Sequence, residues 1–414
     1  MDKANTRKKI SADEAVDYGI FAGLLLGVLA VTLTLFYRQC VESMAGSGLY
    51  HSDMKAYILE MQGLDSGYSF PYPVLFKTAA VFHLFTTPEL AMALATMLLN
   101  GMAVLIVKLA LNHLTYQRLS GLFPERRWLA GLCISIVTVG LFFISMVYPP
   151  AGIYLPGIKY NYLGVFTANP FHNATYMAAR PFAILAFLWY GKLLDTYEQG
   201  GQTKDYICFS LFLLLATMTK PSFTIVLVGA AGLIMLYRMF HSRFKNLKNT
   251  VLLGLTFLPT FADLLYQYRG VFVPEEGAEG GIGFCLGDIW RLYCDNIPLA
   301  IGLAVGFPIL VLLLNFEELK KNTLYRFSWQ LYLMSFAMTF LLYEKGFRAP
   351  DFNFSWGYMY GIFFVFFGSV AVLIRATTAR KNSWLLTLQW LAFLWHLTCG
   401  LYYFCGIFRG QMYY

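Results

Sequence analysis

The sequence predicts an all-α polytopic membrane protein with about 11 transmembrane helices. Three observations carry that expectation. Of 414 residues, 58% are hydrophobic and only 13% are charged, against about 25% charged in ordinary soluble domains. Apolar runs near the length that crosses a bilayer core recur along the whole chain. The cations gather in short clusters between those runs, as membrane topology distributes them. So few polar residues cannot coat a soluble globule of this size. The net charge of +8 forms no basic stripe and accompanies no nucleic-acid module, so nucleic acid is not an expected partner.

The candidate spans are 16–37, 90–112, 128–148, 173–194, 205–219, 221–240, 250–268, 296–316, 325–343, 354–376 and 383–408. The first follows the basic stretch MDKANTRKK. It is too long for a signal-peptide core and no small-residue cleavage site follows, so it reads as a retained helix. The segment 73–87 is short and interrupted by Lys77 and His83. If it does not cross, the loops holding Arg126, Arg127, Arg243, Lys245, Lys320 and Lys321 all face inward, as the positive-inside rule requires. If it crosses alone, RLSGLFPERR lies outside and every later loop flips. The expectation is therefore a cytoplasmic N-terminus, with the long loops 38–89, 149–172, 269–295 and 344–353 on the extracytoplasmic side. The chain reads as one transmembrane domain, 1–414, with no separate soluble domain. Function should sit on the long-loop face, because loops carry sites on a rigid scaffold.

The first outer loop contains HSDMKAYILEM, which sets His51, Ser52, Asp53 and Lys55 just beyond the first span. Ser52 or Asp53 can cap a helix whose apolar residues Met54, Tyr57, Ile58 and Met61 share one face. That pattern suits a helix lying at the membrane surface. SGYSFPYP then breaks it, and Pro73 starts a second interfacial helix, PVLFKTAAVFHLF. Asp53 has a His and a Lys within two residues. It reads equally well as a helix cap and as a general base.

A first transmembrane helix, a large outer loop opening on an acid, and two interfacial helices joined by the Tyr72-Pro73 turn resemble the GT-C glycosyltransferases. The resemblance is architectural over most of the chain and rests, residue by residue, on Asp53 and Tyr72-Pro73. It implies an enzyme that uses a polyprenyl-phosphate-linked sugar, with Asp53 as its base. It also implies residence in a bacterial plasma (inner) membrane, with the site outside. The family often has paired acids in this loop where this chain has Ser52-Asp53. No cofactor is called for by any motif, and a divalent metal is left open. Arg348, in YEKGFRAPDFNFSWGY, resembles the late-loop cation that holds lipid phosphate in this family.

Other polar residues enter apolar segments. ANPFHNATYMAARPF carries His172, Asn173 and Arg180. Ionisable groups at membrane depth are costly and mark cavities. His172 and Asn173 suit sugar hydroxyls or phosphate and Arg180 suits phosphate, while hydrogen bonding between helices is the competing reading. Lys220-Pro221 in TMTKPSF breaks two apolar helices with no loop around it. Backbone N–H groups freed at the following helix start favour an anion, so Lys220 reads as a phosphate ligand, though it can also snorkel. Asp263 is a candidate cavity residue. Asp351 and Trp356 are candidates for sugar contact, with interfacial anchoring the alternative for the Trp. Loop 269–295 is glycine-rich and suggests a mobile lid. Cys285 and Cys294 in it form either a disulfide or two thiols. Asn173-Ala-Thr and Asn353-Phe-Ser match glycosylation sequons. The six histidines form no metal cluster by spacing, and no GxSxG, HExxH, Walker or kinase pattern competes.

The leading expectation is an inverting glycosyltransferase moving a sugar from a polyprenyl-phosphate carrier to an unidentified acceptor. Asp53 would be the base, and Lys220, Arg348 and Arg180 would hold phosphate. His172, Asn173, His51, Lys55, Tyr72, Asp263 and Asp351 would line the substrate site. The alternatives are a transporter or flippase of a lipid-linked saccharide, and a polysaccharide polymerase or ligase.

Overall fold

The computed structural model describes residues 12–148, 167–271, 281–379 and 382–411. The described chain is a bundle of helices. α1 (Ala12–Ala45) leads into the two short helices of the first loop, α2 (Met54–Gln62) and α3 (Val74–His83). α4 (Pro88–Leu111) continues through a π turn at Asn112–Tyr116 into α5 (Gln117–Ser120). Then follow α6 (Trp128–Leu141), α7 (Ala174–Thr196), α8 (Thr203–Thr217) and α9 (Ser222–His241). α10 (Leu247–Leu255) and α11 (Leu258–Val271) make a pair bent by 45°. The strand β1 (Ile282–Phe284), α12 (Asp288–Arg291), α13 (Ile297–Leu314), α14 (Glu317–Lys321) and α15 (Thr323–Leu341) come next. β2 (Leu342–Glu344), α16 (Ser355–Thr378) and α17 (Ser383–Phe408) complete the order.

Each of the 11 apolar segments expected to span forms helix. Seven described helices are long and apolar enough to cross a membrane, or eight if the α10–α11 pair is one bent span. The other three differ for separate reasons. α6 has 14 residues and α8 has 15. α15 has 19 but is diluted by Arg326, Gln330 and its hydroxyl residues. α3 has 10 residues, a rise of about 15 Å against a hydrocarbon core of about 30 Å. It is too short to cross, which agrees with reading 73–87 as interfacial.

α6 stops at Leu141, short of the expected 148. The extended residues beyond it give their backbone bonds to other helices. Ser145 N–H donates to the His396 carbonyl at 3.2 Å and Val147 N–H to the Leu303 carbonyl at 2.9 Å. Leu303 is available because α13 kinks at Val305, ahead of Pro308. The kink frees Phe307 N–H, which donates instead to His396 Nε2 at 3.2 Å. His396 Nδ1 then carries the proton and donates to the Ser145 carbonyl at 2.8 Å. Gly400 permits this close passage, since a Cβ there would lie 1.6 Å from the Phe143 oxygen.

α16 is the axis of the bundle, its whole apolar stretch enclosed by protein. Gly361 and Gly368 bring α15 against it, with Ser335 and Ser328 filling the space where Cβ atoms would stand. Small residues at such crossings let backbones approach, as in other membrane bundles. Phe187 of α7 stacks on Phe364 at 4.2 Å and on Phe327 at 5.0 Å, locking α7, α15 and α16 together. At the end of the bundle away from the α1–α2 loop, buried Lys108 donates to Asp17 at 2.8 Å and to the Gly131 carbonyl at 2.9 Å. That pair ties α1, α4 and α6.

Loop 269–295 is not free from Gly281 onward. β1 pairs antiparallel with β2, and Trp290 is fully buried against Phe336, Phe352 and Tyr358. Part of GAEGGIG lies outside the described residues. Cys285 and Cys294 are two thiols with separate backbone partners, not a disulfide.

Candidate functional site

Four chain breaks meet on one face of the bundle: the α1–α2 loop, the start of α7, the α8–α9 turn and the start of α16. Asn173 is the hub. Its Oδ1 accepts the Tyr176 N–H at 2.9 Å and so caps α7. The same oxygen accepts from the Thr175 hydroxyl at 2.9 Å and from Lys220 Nζ at 3.3 Å. Its Nδ2 donates to Asp53 Oδ2 at 2.7 Å and to the Tyr57 hydroxyl at 2.9 Å. One amide therefore stands between an acid and a cation.

Asp53 occupies the cap position of α2, yet its side chain makes no capping hydrogen bond. The carboxylate turns to α7 instead. Oδ2 accepts from Asn173 and, at 3.1 Å, from the Tyr57 hydroxyl. No hydrogen bond reaches Oδ1 among the described residues. Asp53 is exposed while Tyr57, His172, Asn173, Thr175 and Lys220 beneath it are buried. Although the residue as a whole is exposed, its carboxylate is turned onto buried Asn173 and Tyr57; desolvation there pushes its pKa up, the Lys220 charge and the two hydrogen bonds oppose that, and Asp351 adds to it.

Lys220 sits in the turn between α8 and α9. It donates to Thr175 Oγ1 at 3.1 Å as well as to Asn173. Its Nζ lies 4.6 Å over the Trp356 ring, a cation–π contact. Both hydrogen-bond partners are neutral, so the charge is not cancelled by contact. Burial is the main force that lowers its pKa, with Asp53 pulling it up and the Arg348 charge adding to the lowering, to about 8 in all. The His172 ring is 5.6 Å from that of Trp356. Burial, then the neighbouring Lys220, lowers the His172 pKa to about 3, so His172 acts here as a neutral ring.

Tyr72 packs on Phe70 and Phe76 at the start of α3. The first N–H of α3, on Val74, donates to the Met218 carbonyl at 3.1 Å. That bond docks the first loop onto the Lys220 turn. Arg348 is half-buried at the rim. It pairs with Asp351 at 3.2 Å and Glu344 at 3.5 Å, and its charge acts on Tyr72 and Lys220. Two acids already share this one cation, which leaves Lys220 the less compensated of the two charges.

The structure thus brings together Asp53, Tyr72, His172, Asn173, Lys220, Arg348 and Asp351. It sets others apart. His51 and Lys55 are exposed beside the site. Asp263 accepts from Gln267 Nε2 at 2.7 Å within α11. Arg180 is wholly buried below the site, held by Asn100 and Asn169. Sequence reasoning missed Tyr57, which it assigned to the apolar stripe of α2. The signal was the hydroxyl, since a buried Tyr seeks a hydrogen-bond partner. The Asn173 amide is buried and engaged twice, so the first sequon is not accessible in the folded chain. Among the described residues no three His, Cys, Asp or Glu side chains converge as a metal site.

Compared with known protein families, curated proteins and solved structures, the chain has no match.

Proposed function

We propose that the protein is an inverting, GT-C-type membrane glycosyltransferase that moves a sugar from a polyprenyl-phosphate carrier to an acceptor. The observation that carries the reading is the Asp53–Asn173–Lys220 arrangement: an acid with one free oxygen and a buried, uncancelled cation, kept apart by an amide. Asp53 Oδ1 takes the proton of the acceptor nucleophile as it attacks the anomeric carbon. The bond from that carbon to the phosphate oxygen breaks with inversion. Lys220, with the N-terminus of α9 behind it, holds the departing phosphate. His172 and Trp356 offer a neutral ring and an aromatic face to the sugar.

The reading includes 11 crossings, with the site on the extracytoplasmic face of a bacterial plasma membrane. The convergence of the four chain breaks supports the count. α7 starts at the site and α8 ends there, and α16 starts beside the end of α15. α8 and α15 are therefore return legs of the same bundle, despite their shortness or polarity. A flippase for the same lipid-linked saccharide is the second reading, favoured by the 45° break between α10 and α11. Purified protein in vesicles, given a panel of radiolabelled prenyl-phosphate sugars, separates the two. Label passing to a water-soluble or lipid acceptor supports transfer. Label that crosses the bilayer while still on its carrier overturns it in favour of the flippase.

A further inference from the structure

Arg180 is a full positive charge in the interior of the bundle, with no acid paired to it among the described residues. Its guanidinium donates to two neutral oxygens, Asn169 Oδ1 and Asn100 Oδ1. The faces of Phe142, Tyr176 and Phe363 surround it, Phe142 nearest at 4.7 Å. No ion pair reaches it among the described residues, and its Nε has no partner. An arginine stays charged in such a place, and burying it uncompensated is expensive. Replacing either asparagine with an acid would have cancelled the cost, and neither position carries one.

The charge lies seven residues along α7 from Asn173, a rise of about 10 Å. Helical side chains lean toward the N-terminus, here toward the site. The contacts between them are continuous. Tyr176 lies under Arg180 at 6.0 Å and beside Trp356 at 6.1 Å, and Trp356 lies under Lys220. The fully buried Tyr176 ring between them screens the charge far less than water would.

We propose that Arg180 is an electrostatic residue that strengthens phosphate binding at Lys220 without touching the ligand. The inference rests on the phosphate site proposed above. A unit charge at this range in a protein interior changes the affinity for an anion by about tenfold, or about 1.4 kcal/mol. Because the charge is buried, the effect persists at high salt, where surface attraction is screened.

The test uses the full-length protein in detergent, with farnesyl phosphate and farnesol as probes. The first variant is Asn100→Asp. It is isosteric, and its carboxylate accepts the same Arg180 hydrogen bond, so the brace is kept and the charge is cancelled. The proposal predicts about tenfold weaker binding of farnesyl phosphate, unchanged binding of farnesol, and undiminished thermal stability. Wild-type affinity for farnesyl phosphate in this variant would overturn it and make Arg180 a brace only. Equal weakening of both probes would overturn it too, since that reports distortion. Arg180→Lys, which keeps the charge and loses part of the brace, should bind the phosphate more tightly than Arg180→Met. A wild type that does not prefer farnesyl phosphate over farnesol would overturn the proposal by a different route, by removing the phosphate site itself.

Discussion

Asn173→Asp and Asn173→Ala should rank in opposite orders for stability and for anion binding. The aspartate variant keeps the α7 cap, since Asp caps as well as Asn. Its new carboxylate stands where Oδ1 now accepts Lys220 at 3.3 Å and where Nδ2 now reaches Asp53 at 2.7 Å. It pairs with Lys220 and cancels the cation. Two carboxyls so close share a proton. A charge-assisted hydrogen bond contributes about 1.5–3 kcal/mol, so phosphate affinity should fall by about 10- to 150-fold. The alanine variant leaves the Lys220 charge free, still held by Thr175. It loses the cap, worth about 1 kcal/mol, and strands buried donors at about 1–3 kcal/mol each. Stability should therefore run wild type, Asp variant, Ala variant, and farnesyl phosphate affinity wild type, Ala variant, Asp variant. The assays are thermal unfolding in detergent and equilibrium binding of the labelled phosphate. If both variants fall in the same order in both assays, Asn173 is only a structural hub and its separation of acid from cation has no function.

Lys220 titrates near 8 against an ordinary 10.5, so farnesyl phosphate affinity should decline as pH rises through 8, when the cation is lost. Stability should move the other way between 8 and 10.5, because there the unfolded chain binds the extra proton; denaturation against pH reads the sign, and a flat binding curve would remove Lys220 from the anion site. His172, held near 3, should contribute no limb between pH 5.5 and 7.5, and His172→Gln should leave the limbs of the pH–rate profile in place. Gly361→Ala should cost about 1–3 kcal/mol from overpacking, since the new methyl would lie 2.0 Å from Ser335 Oγ. Ser335→Gly added to it should restore much of that stability.

The helices were legible because each apolar run carries its own signal, independent of its neighbours. The end of α6 was not. Phe142–Tyr148 is as apolar as the helix before it, and only the kink of α13 and the small Gly400 let its backbone bond elsewhere. At the site, the sequence identified most of the polar residues and could not decide what they did. Asp53 read equally as cap and as base, and the deciding partner, Asn173, is 120 positions away. Tyr57 was hidden by spacing that puts it on an apolar face, which is also the face that meets α7. Arg180 signalled a charge at membrane depth, but not that Tyr176 and Phe142 would wall it off. Side-chain direction between distant helices is the information one sequence lacks.

In the proposed transfer step Asp53 is the base and Lys220 the phosphate ligand. Single-turnover transfer from a radiolabelled prenyl-phosphate sugar, by wild type and by Asp53→Asn at saturating donor, tests it most directly. The wild type should transfer the sugar and the variant should lose about a hundredfold or more of the rate, with donor affinity kept or improved because the acid beside Lys220 is gone. Transfer by Asp53→Asn at the wild-type rate would contradict it.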